Sequence, residues 1–219
     1  MNLANLDTSK IIIALDTTDL DDFYTKFYQT KDLFSWFKIH SIFLKEHTKP
    51  IFTLRENGKK IFLDLKFFDI PTTVENHIRS ISKFADMFTI HLLSGKECLK
   101  RVSKISRELN MIPVGVSILT SFSEEDLKEI GINNTIISEV LKLVELGVNS
   151  GIEYFVCSPL EVKTVKNNFP NVKLITPGIR LQKEKDDQKR IMTPEEAFKE
   201  GSDFIVMGRD IFRVLSSQQ

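Results

Sequence analysis

The run Ile61-Phe62-Leu63-Asp64-Leu65-Lys66-Phe67-Phe68-Asp69-Ile70-Pro71 opens as a buried strand and ends in charge. Side chains alternate across a strand with period two, so Asp64 and Lys66 are expected on one face. A carboxylate and an ammonium then share a small space at a strand end. As plain structure this is costly, because a buried charge loses several kcal/mol unless it is paired. As chemistry it is useful, because it holds a proton-bearing cation beside an anion. Solvated loop residues after a strand are the simpler reading of the same letters. The rest of the chain decides between the two.

Working outward, short apolar runs recur eight times. They are Ile11–Leu15, Trp36–Ile39, Ile61–Leu65, Met87–Ile90, Ile112–Ile118, Tyr154–Cys157, Val172–Ile175 and Phe204–Met207. Most are nearly continuous rather than alternating, as expected of parallel strands buried on both faces. Helical spacing fills the gaps. Thr73–Lys83 places Val74, Ile78 and Ile81 on one stripe, and Ile136–Leu146 does the same with Val140, Leu143 and Val144. Ser123 precedes an acidic first turn. Thr193 and Pro194 open a helix that Gly201 is placed to close. Strands alternating with helices eight times predict an α/β fold, a single (β/α)8 barrel with a parallel eight-stranded sheet over residues 1–219. A doubly wound open sheet is the alternative.

Composition narrows the function. The 219 residues are 42% hydrophobic, enough to bury a core, and thirty basic residues balance thirty acidic ones. Net charge therefore gives no reason to expect nucleic acid or an anionic membrane as a partner. Cys98 and Cys157 have no metal-ligand spacing. They suit a reducing compartment, with one disulfide left open. No apolar run reaches the ~18–20 residues of a membrane span, and Met1–Lys10 has no signal-peptide core. A soluble cytoplasmic protein is expected. The seventeen phenylalanines are expected in the core and between helices, with some at a subunit interface.

Polar residues collect at the strand ends. Asp16 follows the first strand, Lys38 lies in the second, and Asp64, Lys66 and Asp69 follow the third. His91 ends the fourth, Thr120-Ser121 the fifth, Thr176-Pro177-Gly178-Ile179-Arg180 the seventh and Gly208-Arg209 the eighth. In a barrel all of these meet at the C-terminal rim, where active sites are built. The loops after strands seven and eight commonly hold phosphate there. Gly178 and Gly208 permit close backbone approach, and Arg209 offers a planar fork of donors. The polar stretch Leu181–Arg190 reads either as a lid over that rim or as a plain solvated loop.

With these residues in view the chain resembles the orotidine 5′-phosphate decarboxylase family, of the bacterial type. The resemblance runs through Ala14-Leu15-Asp16, Asp64–Thr73, Leu119-Thr120-Ser121, Val156-Cys157-Ser158, Thr176–Arg180, Asp187–Pro194 and Gly208-Arg209. It implies decarboxylation of orotidine 5′-monophosphate to UMP without a cofactor or metal. It also implies roles. Lys66 would protonate C6 of the pyrimidine as CO2 leaves. Asp64 would lie beside the departing carboxylate, and Lys38 would pair with the carboxylates. Asp69 would reach into the neighbouring subunit's site, making a homodimer the active form. Asp16 and Thr73 would bind ribose hydroxyls, and Thr120 would read the pyrimidine edge. Arg180, Gln188, Gly208 and Arg209 would grip the phosphate. The family also has a histidine at the position of His91, which reads as a structural hydrogen-bonding residue because both ring nitrogens need partners, with direct catalysis as the alternative.

Three residues depart from the family pattern. His40 stands where glycine is usual, Phe68 where histidine is common, and Asp210 where proline or a small residue follows the arginine. Asp210 is expected to point outward. Two rivals stand beside this reading. One is a sister sugar-phosphate decarboxylase or synthase that uses a metal. It needs a further acid on an early strand, whereas Glu46 and Glu56 sit in helical or turn context. The other is a non-catalytic nucleotide-binding barrel, which would have no need of a buried charge array.

Overall fold

The structure, a computed structural model, describes residues 6–46, 48–181 and 192–216. Among them lie eight strands: β1 (Ile11–Ala14), β2 (Trp36–Ile39), β3 (Lys60–Phe67), β4 (Met87–His91), β5 (Ile112–Val116), β6 (Tyr154–Val156), β7 (Lys173–Thr176) and β8 (Phe204–Met207). Each pairs in parallel with the next, and β8 pairs back onto β1, so the sheet closes into a barrel. The open-sheet alternative is thereby excluded. Helices α1 (Leu20–Thr30), α2 (Ser41–Glu46), α3 (Thr48–Glu56), α4 (Pro71–Ile81) and α5 (Gly95–Glu108) surround the first half. Helices α6 (Glu124–Glu129), α7 (Ile136–Val148), α8 (Val162–Asn168), α9 (Pro194–Glu200) and α10 (Arg209–Ser216) surround the second.

The strands are apolar on both faces because each face meets a different core. Ile12, Trp36, Phe62, Met87, Val114 and Val206 fill the barrel interior. Ile11, Ile13, Phe37, Leu63, Phe88 and Phe155 point outward and pack under the helices. Of the seventeen phenylalanines, Phe23, Phe27, Phe37, Phe62, Phe88 and Phe155 are fully buried. Phe155 makes heavy demands on its neighbours. A Cβ added at Gly115 would stand 2.9 Å from its ring, and one at Gly147 of α7 would stand 2.6 Å from it. Cys98 and Cys157 are buried free thiols.

Two carboxylates tie down the N-terminal ends of strands. Asp86, just before β4, accepts from the Ile61 backbone N–H and from Arg55, both at 2.8 Å. Asp203, just before β8, accepts from the Leu174 N–H at 2.9 Å and from Lys166 and Lys173.

Several boundaries differ from the sequence expectation, each for a local reason. Helix α4 starts at Pro71 rather than Thr73, because Ile70 is extended and the proline φ already suits a first helical position. Strand β5 stops at Val116 rather than Ile118. Its partners there, His91 and Val156, are the last residues of β4 and β6, so the ladder has nothing left to pair with. The local signals at α6 and α9 hold as read. Ser123 and Thr193 each make a capping box, and Gly201 ends α9 at φ +112.

Candidate active site

The barrel interior is apolar until its C-terminal layer, where the same inward columns turn polar. Two residues beyond Trp36, Phe62 and Met87 come Lys38, Asp64 and Thr89, and two beyond Ala14 comes Asp16. Their side chains form one chain of alternating charge. The Lys38 ammonium donates to Asp16 Oδ1 at 2.7 Å and lies 3.5 Å from Asp64 Oδ2. The Lys66 ammonium donates to Asp64 Oδ1 at 2.8 Å. Thr89 Oγ1 donates to the same oxygen at 3.1 Å.

Asp64 and Lys66 meet, but not through the regular pleat. Leu63 pairs with Phe88, and the next pair is Phe67 with Ile90, so β3 carries two extra residues against β4. Such a bulge re-aims side chains at the end of a strand. Within it Lys66 adopts φ +49, a left-handed conformation that costs a non-glycine residue about 1–2 kcal/mol. The Lys66 N–H, displaced from a regular ladder, donates to Thr89 Oγ1 at 2.7 Å. Thr89 therefore holds both the bulge and Asp64. In the sequence Thr89 stands as one letter of the apolar run Met87–Ile90. Its only signal was a hydroxyl among Met87, Phe88 and Ile90.

Burial of Asp64 acts to raise its pKa. The Lys38 and Lys66 charges, with hydrogen bonds from Lys66 and Thr89, overcome that and hold the carboxyl below the usual carboxylate range. His91 is pushed the other way: burial, reinforced by the Lys66 charge, lowers its pKa. Its Nδ1 accepts from the Leu93 N–H at 3.3 Å, and its ring lies 5.5 Å from that of Phe68.

The charge chain forms one wall of a cavity of about 360 Å3. Ala14, Phe62, Val116, Val156, Ile175 and Val206 make an apolar floor. Pro177, Gly178, Arg180, Gly208 and Arg209 line it from β7 and β8, and Thr120 from the loop after β5. Gly178 sits at φ +76, and a Cβ on Gly208 would stand 3.7 Å from that of Ala14, which also lines the cavity. Among the described residues, no three His, Cys, Asp or Glu side chains gather as a metal site would, and no helix is long and apolar enough to cross a membrane.

The family model described as "Orotidine 5'-phosphate decarboxylase / HUMPS family" matches residues 9–216. The chain belongs to this family. Similar proteins named orotidine 5'-phosphate decarboxylase include one from Prochlorococcus marinus (strain AS9601), 39% identical, covering 98% of this chain and 93% of the relative. Another, from Lawsonia intracellularis (strain PHE/MN1-00), is also 39% identical, with 93% and 92% covered. The crystal structure of orotidine 5'-phosphate decarboxylase from Lactobacillus acidophilus superimposes with a TM-score of 0.79 at 28% identity, covering 95% of this chain and 96% of that one.

The family's expected site residues fall into three groups here. Asp16, Lys38, Asp64, Lys66, Thr120, Arg180, Gly208 and Arg209 line the one cavity. Asp69 and Thr73 do not. Asp69 is exposed and accepts from the Ile70 N–H at 2.7 Å, and Thr73 is half-buried in the first turn of α4. Gln188, and the expected lid beyond Leu181, lie outside the described residues.

The departures from the family pattern are also placed. His40 bonds Ser41 Oγ through Nδ1, away from the cavity lining. Phe68 is 63% exposed. Asp210 corrects the expectation that it points outward, since it is only 4% exposed. It accepts from the Leu181 N–H at 2.8 Å and from Arg213. Burial acts to raise its pKa, but those bonds and the charges of Arg213 and Arg180 bring it below the usual range. It braces the β7 loop against α10 and leaves the cavity lining to Gly208 and Arg209.

Proposed function

We propose that the protein decarboxylates orotidine 5′-monophosphate to UMP, the last step of de novo pyrimidine nucleotide synthesis, with protein side chains alone. The observation that carries this reading is the Asp16–Lys38–Asp64–Lys66 chain on the wall of a cavity whose other end is lined by Gly178, Gly208 and Arg209. One end suits a reaction that develops negative charge on carbon, and the other suits a phosphate dianion.

The C6–carboxylate bond breaks heterolytically, CO2 departs, and the electron pair remains on C6. The pyrimidine ring has no carbonyl placed to delocalise that pair. Stabilisation must come from a fixed positive charge about 3 Å from C6. The Lys66 ammonium supplies it and then transfers its proton to C6, giving UMP and a neutral lysine that recovers a proton from water. Asp64 aims the ammonium, and Lys38 bridges Asp64 to Asp16. Asp64, kept anionic, also repels the substrate carboxylate, a lesser contribution. Asp16 binds ribose hydroxyls, Thr120 reads the pyrimidine edge, and Arg180, Gln188, Gly208 and Arg209 hold the phosphate. Binding at that remote end supplies energy for the reacting end.

Asp69 serves the neighbouring subunit's site in a homodimer, and Thr73, four residues on, binds ribose hydroxyls. In support, Asp69 stands outside its own cavity between Phe68 and Ile70, which are 63% and 68% exposed. Large apolar side chains at a ridge of this kind suit a covered surface.

The test is loss of the ultraviolet absorbance of orotidine 5′-monophosphate in the presence of a chelator. Conversion to UMP supports the proposal. A folded, dimeric sample that converts nothing, yet acts on a sugar phosphate once magnesium is restored, overturns it in favour of the metal-using sister enzymes.

A further inference from the structure

Lys26 lines the cavity although it belongs to α1, outside the barrel. Its ammonium lies 2.6 Å from Asp22, one turn earlier on the same helix, and 5.7 Å from the centroid of the Phe212 ring. Phe212 also lines the cavity, one turn beyond Arg209 on α10. Lys26 is therefore brought to the Gly208–Arg209 corner by the packing of α1 on α10.

A helical lysine bonded to an acid four residues before it is ordinarily a solvated surface pair. Here the order of exposure is reversed. The lysine side chain is 22% exposed and the aspartate 43%, so the cation lies deeper than its partner. Its charge lies over an aromatic face and its side chain is largely withdrawn from water.

Charge balance in the cavity points the same way. Among its described lining residues, Lys26, Lys38, Lys66, Arg180 and Arg209 oppose Asp16 and Asp64, an excess of three positive charges. The Asp16–Lys38–Asp64–Lys66 chain is neutral in itself. Within the lining the excess thus resides in Arg180, Arg209 and Lys26, and Asp22, outside the lining, is the counter-ion that Lys26 would leave to meet phosphate. A nucleotide carrying one carboxylate and a phosphate dianion brings three negative charges.

We infer that Lys26 is a further substrate-binding residue, which swings from Asp22 to the phosphate end of the nucleotide and closes the anion site from the α1 side. This rests on the proposed decarboxylase reading and adds to it a cation contributed by a helix that flanks the barrel. An ammonium has three donors and a flexible stem, so it can exchange partners without backbone movement. Asp22 acts as a competing anion that holds Lys26 when the site is empty of phosphate.

Two single variants act in opposite directions. Lys26→Met keeps an unbranched side chain of similar length and removes the charge. It is expected to raise the KM for orotidine 5′-monophosphate and the Kd for UMP about tenfold, as for a lost charged hydrogen bond. Most of the fall in kcat/KM lies in KM. Binding of uridine, which has no phosphate, stays as in the wild type. Asp22→Asn frees Lys26 and is expected to lower both the KM and the UMP Kd. If neither variant moves the UMP Kd by more than about twofold, the difference is too small for a charged contact and the inference fails. If Lys26→Met weakens uridine as much as UMP, Lys26 is a packing residue and the inference fails as well. A wild-type protein that neither converts the substrate nor binds UMP brings down the decarboxylase reading along with it.

Discussion

At the scale of single residues, Lys66 carries the largest expected effect. It is the proposed source of both the charge opposite C6 and the proton delivered there. Lys66→Ala should lower kcat by at least roughly 10^4-fold, the lower end of the product of a lost electrostatic stabiliser and a lost general acid. UMP should still bind, because the phosphate end is untouched. Steady-state assays beside UMP titrations check this, and near wild-type turnover in the variant would remove Lys66 from the mechanism. Asp64 leaves a mark on acid stability. Its folded pKa lies below the ordinary 3.8, so the unfolded chain binds more protons in that window. Its contribution is fully present above the unfolded value and is lost as pH falls through the folded one. The gap in urea stability between wild type and Asp64→Asn should be constant above about pH 5 and narrow below it. A gap that widened with acid would contradict the assignment.

At the scale of elements, α7 offers a case where packing overrides propensity. Gly147 lies inside a helix, where alanine would ordinarily stabilise by up to about 1 kcal/mol. The fully buried Phe155 ring stands where the new methyl would go. Gly147→Ala should therefore destabilise by about 1–3 kcal/mol, read from the urea midpoint. Elements written in local chemistry were legible in the sequence. The helix α9 was readable from Thr193, Pro194 and Gly201, because a cap needs only its own neighbours. The β3 bulge was not, because it is a relation between two strands. The pleat predicts that Asp64 and Lys66 share a face, whereas two extra residues and the Thr89 hydroxyl bring them together. Asp210 was misread for the same reason, since its direction is set by Leu181, twenty-nine residues away. Lys26 carries no signal in the sequence, since its place at the cavity depends on the packing of α1 beside Phe212 of α10.

For the whole molecule, a parallel sheet covered by helices was legible because eight two-faced apolar runs need cover on both sides, whereas closure is decided by the pairing of β8 with β1, which separates a barrel from a doubly wound open sheet. Subunit sharing is tested by mixing. Lys66→Ala and Asp69→Ala homodimers should each be nearly inactive. If Asp69 serves the partner's site, random exchange makes half the dimers hybrids with one intact site each, and activity returns to about a quarter of wild type. No recovery, with exchange verified by mass, would confine each site to one subunit.

The clasps at Asp86 and Asp203 have a consequence for how the chain could be divided. One joins the start of β3 to the entry of β4, and the other joins β7 to β8, four strands on and half a turn around the barrel. Each half of the sequence thus carries its own fastening, and neither fastening crosses the midpoint. Asn110, exposed and at φ +54 in the turn before β5, marks the seam. Residues 1–110 and 111–219, produced together as separate chains, should assemble into one working barrel. The polypeptide link at the seam would then be a convenience of inheritance rather than a condition of the architecture.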